Sequence, residues 1–220
     1  MKPIRTFAKL FILAGVSLFI SCTVKPPSEP KDTYHSTQEK STYTTTIQAE
    51  IEKHGTIPVE VVENGKKVKL EVVRSKIDSL DHNQLARVNE FFMNINSEYP
   101  SSKDFVFIKY YPGKDRCNST GGLSRNQIGE RDVRFKAEIQ KRERMTAAWI
   151  YKNDKGLKKY TKEVQWHPDS LQIIENTFFA YHYPCSSYVI LHKSGLYYAF
   201  FGESSPDKKI KDIEMFTYHF

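Results

Sequence analysis

Cysteine is scarce in this chain: three residues among 220, at positions 22, 117 and 185, none of them paired as Cys-x-x-Cys. The spacing is too wide for a local redox motif, and two cysteines alone do not fill a zinc site. Also missing is an apolar run long enough to span a bilayer, which needs about 20 residues. The stretch from Leu10 to Ile20 falls short and is interrupted by Gly15 and Ser17. No nucleophile triad, phosphate loop or calcium loop occurs, so no cofactor and no metal are expected. Charge of one sign is not concentrated either. The 33 basic and 26 acidic residues are interspersed, and short clusters such as Lys66-Lys67 and Lys208-Lys209 read as solvated surface. No nucleic-acid partner is expected from such a pattern.

The N-terminus carries a clear pattern. Lys2, Arg5 and Lys9 occur without an acid, the apolar stretch follows, and Ser21 and Cys22 close it. A basic start, a short apolar segment and a small residue at the cut describe a secretory signal. The residues Leu18-Phe19-Ile20-Ser21-Cys22 resemble a bacterial lipoprotein signal, with Phe19 where that family usually has Leu. The resemblance implies a signal peptide over 1–21, lipid on Cys22, a membrane as partner, and a place in the bacterial cell envelope, periplasmic or on the outer surface. An ordinary cleaved signal with an incidental cysteine, or an uncleaved anchor, is the alternative. Losing Lys2, Arg5 and Lys9 would leave an excess of four basic residues. Residues 22–46 continue as TVKPPSEPKDTYHSTQEKSTYTTT after the cysteine, with three prolines and almost no aliphatics. Such a segment buries too little apolar surface to offset its ordering entropy and reads as a disordered tether. His35 falls within it as a solvated residue.

Fourteen Phe and 13 Tyr, concentrated after Phe91, place a core in the second half, and 47–220 reads as one globular domain. Over 57–73, apolar and polar residues alternate on each side of Asn64-Gly65, the pair that tolerates positive φ at both central positions of a tight hairpin turn. Val68, Leu70 and Val72 are expected to share the buried face. From Ser79 to Asn96, Leu80, Leu85, Val88, Phe91, Phe92 and Ile95 recur at helical spacing, with Asp78 or Ser79 as cap.

Beyond this helix, Asp104 to Tyr111 is a β-branched and aromatic run of strand length that stops at Pro112-Gly113. A polar loop holds Cys117. Glu130 to Met145 then reads as a helix through Val133, Phe135, Ile139 and Met145, and Thr146 to Tyr151 as a strand. A helix over Asp169 to Tyr181, led in by Pro168, precedes a strand at Tyr188 to Leu191 and its hairpin partner at Leu196 to Phe201. Asp169 would complement the helix dipole.

This order resembles the thioredoxin-like fold, over about 80–220. The residues carrying the likeness are Phe105 to Tyr111 leading to Cys117, Tyr183-Pro184 ahead of the third strand, and the hairpin through Gly195 to Gly202. The resemblance implies an α/β three-layer sandwich, extended here by the N-terminal hairpin, with Pro184 as the cis-proline. It also implies that Cys185 and Cys117 come within bridging distance, which requires Cα atoms within about 7 Å.

The sequence departs from that family in its chemistry. Cys117-Asn118-Ser119-Thr120 has threonine where the second cysteine belongs, no tryptophan precedes Cys117, and the peroxiredoxin pattern fails between Pro112 and Cys117. Two readings follow. In the first, the chain acts in envelope thiol–disulfide chemistry, with Cys117 the catalytic nucleophile, activated by Lys114, Arg116 and a helix N-terminus, and Cys185 the resolver. In the second, it is a non-enzymatic lipoprotein that binds a protein partner or small ligand, and the cysteines only staple it. His182 and Cys185 have a metal-compatible spacing that no second cluster completes. Asn118-Ser119-Thr120 is a glycosylation sequon only in a eukaryotic secretory pathway.

Overall fold

Six of the seven residues of the central strand β4 (Phe105–Tyr111) are buried, as expected of a strand covered on both faces. A computed structural model describes residues 52–119, 125–157, 164–218 and 220. The signal segment, Cys22 and the tether lie outside the described residues. Phe105 and Phe107 join one core with Phe135, Ile139, Tyr188, Tyr198 and Phe216, whereas Val106, Ile108 and Tyr110 join another with Val88, Phe92, Ile174, Phe178 and Val189. Strand periodicity thus places alternate residues in two separate apolar layers.

The central sheet has six strands in the order β3-β8-β7-β4-β5-β6. These are β3 (Ser75–Ser79), β5 (Met145–Tyr151), β6 (Trp166–Pro168), β7 (Ser187–His192) and β8 (Leu196–Phe200) around β4. β4, β5 and β6 run parallel, while β7 is antiparallel to β4 and β8 to β7. Helices α1 (His82–Asn94) and α4 (Ile173–Phe178) cover one face, and α3 (Arg125–Gln140) and α5 (Pro206–Thr217) the other. A four-residue turn of helix, α2 (Arg116–Ser119), holds Cys117 after β4. The result is a thioredoxin-like α/β three-layer sandwich in which an antiparallel hairpin extends a parallel core. Among the described residues, no helix is long and apolar enough to cross a membrane.

The N-terminal hairpin forms as read: β1 (Thr56–Glu63) pairs with β2 (Lys66–Val73) through Asn64 at φ 50° and Gly65 at φ 76°. Ile57 and Val59 enter the core, and Leu70 and Val72 pack against it.

Several boundaries move. The α1 cap is Asp81, whose carboxylate accepts from Gln84 N at 2.8 Å while the Gln84 side chain accepts from Asp81 N at 3.0 Å. Asp78 and Ser79 belong instead to β3. Met145 opens β5, and Trp166–Pro168 is an edge strand. The helix expected from Asp169 is confined to Ile173–Phe178. Asp169 still serves that helix, accepting from Ile174 N at 3.2 Å and Glu175 N at 2.8 Å. The cis bond expected at Pro184 is not there: the cis peptide among the described residues is Tyr99–Pro100. The turn into β7 is made by Cys185, left-handed at φ 65°, so the chain reverses without a cis bond at Pro184.

Asp81→Ala is expected to cost about 1 kcal/mol, because it removes the carboxylate half of the reciprocal cap and leaves Gln84 N without its acceptor. Thermal unfolding of the variant checks this, and an unchanged midpoint would show that the cap contributes nothing.

Candidate functional site

β4 and β7 are neighbours, with Tyr110 opposite Ser187. The chain leaving β4 and the chain arriving at β7 therefore lie side by side at one end of the sheet. Cys117 comes from the first and Cys185 from the second, and they form a disulfide with Cα atoms 5.1 Å apart across 68 residues of sequence. Cys185 is 7% exposed and Cys117 is half-buried, so Cys117 is the sulfur an external thiol reaches first.

The loop is built to hold the pair together by more than the sulfur bond. Asp115 caps the α2 turn, its Oδ1 accepting from Asn118 N at 2.7 Å, and its Oδ2 accepts from Cys185 N at 2.8 Å. Asn118 returns a bond, its Oδ1 accepting from Asp115 N at 3.0 Å. Its Nδ2 donates to Gly113 O at 2.8 Å and to Cys185 O at 3.4 Å. Both backbone polar groups of Cys185 are thus held from the Cys117 loop. Ser119 Oγ donates to Asp115 O, and His182 Nε2 stands 3.7 Å from Asp115 Oδ2.

On the other side, Glu203 Oε2 lies 3.6 Å from Cys185 Sγ and 4.0 Å from Cys117 Sγ. It follows Gly202, which is left-handed at φ 83°. A Cβ there would strain the left-handed backbone and stand 2.5 Å from Ile57 Cδ1, the end of a side chain that would have to shift, so glycine eases the passage beneath the hairpin that sets Glu203 against the sulfurs. Glu203 thus sets a carboxylate beside the sulfurs, while Lys109, Arg131 and Lys209 line the adjoining space. Lys114 and Arg116, the cations expected to activate Cys117, are both exposed.

A cavity of about 150 Å³ opens beside the bridge, lined by Cys117, Cys185, Glu203, Lys109, Trp166 and Lys209 among others. Lys109 pairs with Asp132 at 2.6 Å, each side chain 13% exposed. Ser204, whose buried Oγ has no hydrogen-bond partner among the described residues, also lines it. Lys209 donates to Ser204 O at 3.2 Å, and burial, reinforced by the nearby Lys109 cation, holds its amine down to about 7. In sequence Lys208-Lys209 reads as solvated surface, yet Lys208 binds Asp212 at 2.5 Å and Lys209 lines this cavity.

Asp115, Asn118, Glu203 and Lys209 are the site residues that sequence reasoning passed over. Asp115 and Asn118 carried a legible signal, since an Asp and an Asn three apart around a short turn form reciprocal side-chain to backbone bonds. Glu203 carried none.

No known protein-family profile matches the chain, and no curated protein does. A solved structure that it resembles is a thioredoxin-like protein from Bacteroides caccae, at 14% identity and a TM-score of 0.33, with 81% of this chain covered. The chain spans 56% of that protein's length.

Proposed function

We propose that this chain is a lipid-anchored protein of the bacterial envelope whose thioredoxin-like domain carries out thiol–disulfide exchange through Cys117 and Cys185. The anchor rests on the lipoprotein-like residues ending at Cys22. The exchange reading rests on one observation: the Asp115 and Asn118 bonds hold Cys185 beside the Cys117 loop independently of the sulfur bond. The dithiol produced by reduction would stay aligned for closing again.

In the reducing direction the Cys117 thiolate attacks a sulfur of a substrate disulfide, forming a mixed disulfide and releasing one substrate thiolate. The Cys185 thiolate then attacks Cys117 Sγ, and the second substrate thiolate leaves with the bonding pair. The substrate disulfide is reduced to a dithiol, the protein dithiol is oxidised to the bridge, and an external dithiol restores it. The cavity beside the bridge is the place for the substrate's flanking groups, with the Ser204 hydroxyl there to hydrogen-bond a substrate amide.

The reduction potential tests this. Structural disulfides resist reduction to below ≈ −300 mV, so thiol alkylation in defined glutathione buffers is expected to show the bridge opening above about −250 mV. A bridge that stays closed through that range removes the exchange reading. What then stands is a lipoprotein that binds a protein or small ligand, stapled by its disulfide, a reading favoured by the near-complete burial of Cys185.

Glu203 sets the rate in the first reading. A glutathione thiolate approaching the bridge meets a carboxylate within 4.0 Å of both sulfurs. Like unit charges about 4 Å apart repel by about 1 kcal/mol in water and by more at a partly buried site. Glu203→Gln is therefore expected to speed reduction by glutathione about five- to tenfold at low salt, and less at high salt where screening weakens the repulsion. A rate indifferent to both the substitution and the salt removes Glu203 from this role.

A further inference from the structure

Two cysteines do not make a metal site, but the fold sets two carboxylates against them. Glu203 Oε2 is 3.6 Å and 4.0 Å from the two sulfurs. A carboxylate oxygen of Asp115 lies within 4.8 Å of both as well. We propose that the reduced form of this site binds a zinc ion through Cys117, Cys185, Asp115 and Glu203.

The geometry fits such an ion. Zinc takes sulfur at about 2.3 Å and carboxylate oxygen at about 2.0–2.2 Å in a tetrahedron, which sets neighbouring ligand atoms roughly 3.4–3.8 Å apart. The Glu203 contact to Cys185 at 3.6 Å is already at that spacing, and the one to Cys117 at 4.0 Å is slightly longer. Two larger changes are needed: the sulfurs separate, which opening the bridge supplies, and the Glu203 carboxylate swings toward that of Asp115, which clusters with the two sulfurs without it. Two thiolates with two carboxylates form a mixed soft and hard donor set that suits a borderline-soft d¹⁰ cation. The charge fits as well, because two acids facing a sulfur pair are a negative surplus that a divalent cation matches.

The supporting shell is in place before any ion arrives. Asp115 is oriented by Asn118 N and Cys185 N, and His182 Nε2 stands 3.7 Å from its Oδ2. Outer partners of this kind fix the direction of a ligating carboxylate. The backbone bonds from Asp115 and Asn118 to Cys185 hold the two halves of the site together once the sulfurs part. Reduction by an external dithiol, itself oxidised to a disulfide, adds two electrons and two protons to the bridge. Zinc then replaces the two protons. The site is thus available in one redox state and closed in the other.

The test uses the full chain in detergent, its bridge reduced with a phosphine and the excess reductant removed without air. Zinc is titrated against a chromophoric chelator, and cobalt(II) replaces it in a parallel sample to report thiolate ligation by near-ultraviolet charge-transfer absorption. The expected result is about one zinc per reduced chain and none on the oxidised chain. Glu203→Gln should weaken binding by at least the tenfold or so that loss of an outer partner of a ligand costs. The exposed hairpin variant Glu60→Gln should leave affinity unchanged. Failure of the reduced chain to retain zinc overturns the proposal. So does a Glu203→Gln affinity equal to wild type, which would mean a dithiol chelate alone. Glu203 is exposed, so this variant keeps the test independent of folding. The titration involves no turnover, so its failure and the failure of the exchange reading are separate results.

Discussion

Cys117→Ser is expected to abolish exchange and to lower the unfolding free energy by roughly 4 kcal/mol, the chain-entropy value for a bridge closing a loop of this size. The bridge spans 68 residues, and opening it returns that freedom to the unfolded chain. For a protein held by about 5–15 kcal/mol this is a large share, and at this chain length the melting temperature should fall by roughly 8–16 °C. The native arrangement should survive, because the Asp115 and Asn118 bonds to Cys185 do not pass through sulfur. Chemical denaturation of Cys117→Ser and of the double Cys117→Ser, Cys185→Ser protein, alongside a disulfide-exchange assay, separates the two readings. Loss of stability in a protein whose wild type shows no exchange leaves only the staple.

A loss of comparable size is expected far from sulfur, at Asp212→Ala. Asp212 on α5 is 4% exposed and accepts from the Tyr188 hydroxyl, from the Tyr198 hydroxyl at 3.0 Å and from Lys208 Nζ at 2.5 Å. Burial first, and then the Asp212 charge, holds both phenols far above their ordinary range, so both remain protonated donors. The cluster ties α5 to β7 and β8, and α5 carries Lys209 to the cavity. Alanine removes the acceptor that both buried hydroxyls share and leaves them only each other and Ser75, at about 1–3 kcal/mol each, so a total of roughly 2–6 kcal/mol is expected in urea unfolding. Tyr188→Phe with Tyr198→Phe in the Asp212→Ala background should recover part of it, since removing the orphaned groups removes their desolvation cost. A loss below about 1 kcal/mol for Asp212→Ala would show that water satisfies these hydroxyls.

The elements legible in sequence are those whose own residues carry the period. The Asn64-Gly65 turn, the apolar stripe of α1 from Val88 to Phe92 and the aromatic run of β4 each needed only local chemistry to read. β3 was not legible. SKIDS has a single apolar residue, and it is a strand because Ser75 to Ser79 pairs with Phe200 to Leu196. Trp166–Pro168 is a strand for a similar reason, lying against Trp149–Tyr151 as a parallel edge. Met145 was drawn into the preceding helix by its hydrophobicity, although α3 stops at Gln140 and Arg142 makes a turn with Ile139 O.

Resemblance to a thioredoxin-like order implied the approach of Cys117 to Cys185, and the sequence alone determined which faces are buried and where the chain turns. Those properties depend on side-chain hydrophobicity and backbone freedom within a few residues, which the order of amino acids states directly. Only the tertiary structure decided what surrounds the sulfurs. Glu203 reaches Cys117 across 86 positions, and Asp115 reaches Cys185 across 70. Neither approach is encoded in a local period: both depend on β4, β7 and β8 being neighbours in one sheet, so that the loops at their ends converge. The placing of the Asp115 and Glu203 carboxylates against the sulfurs follows from that convergence.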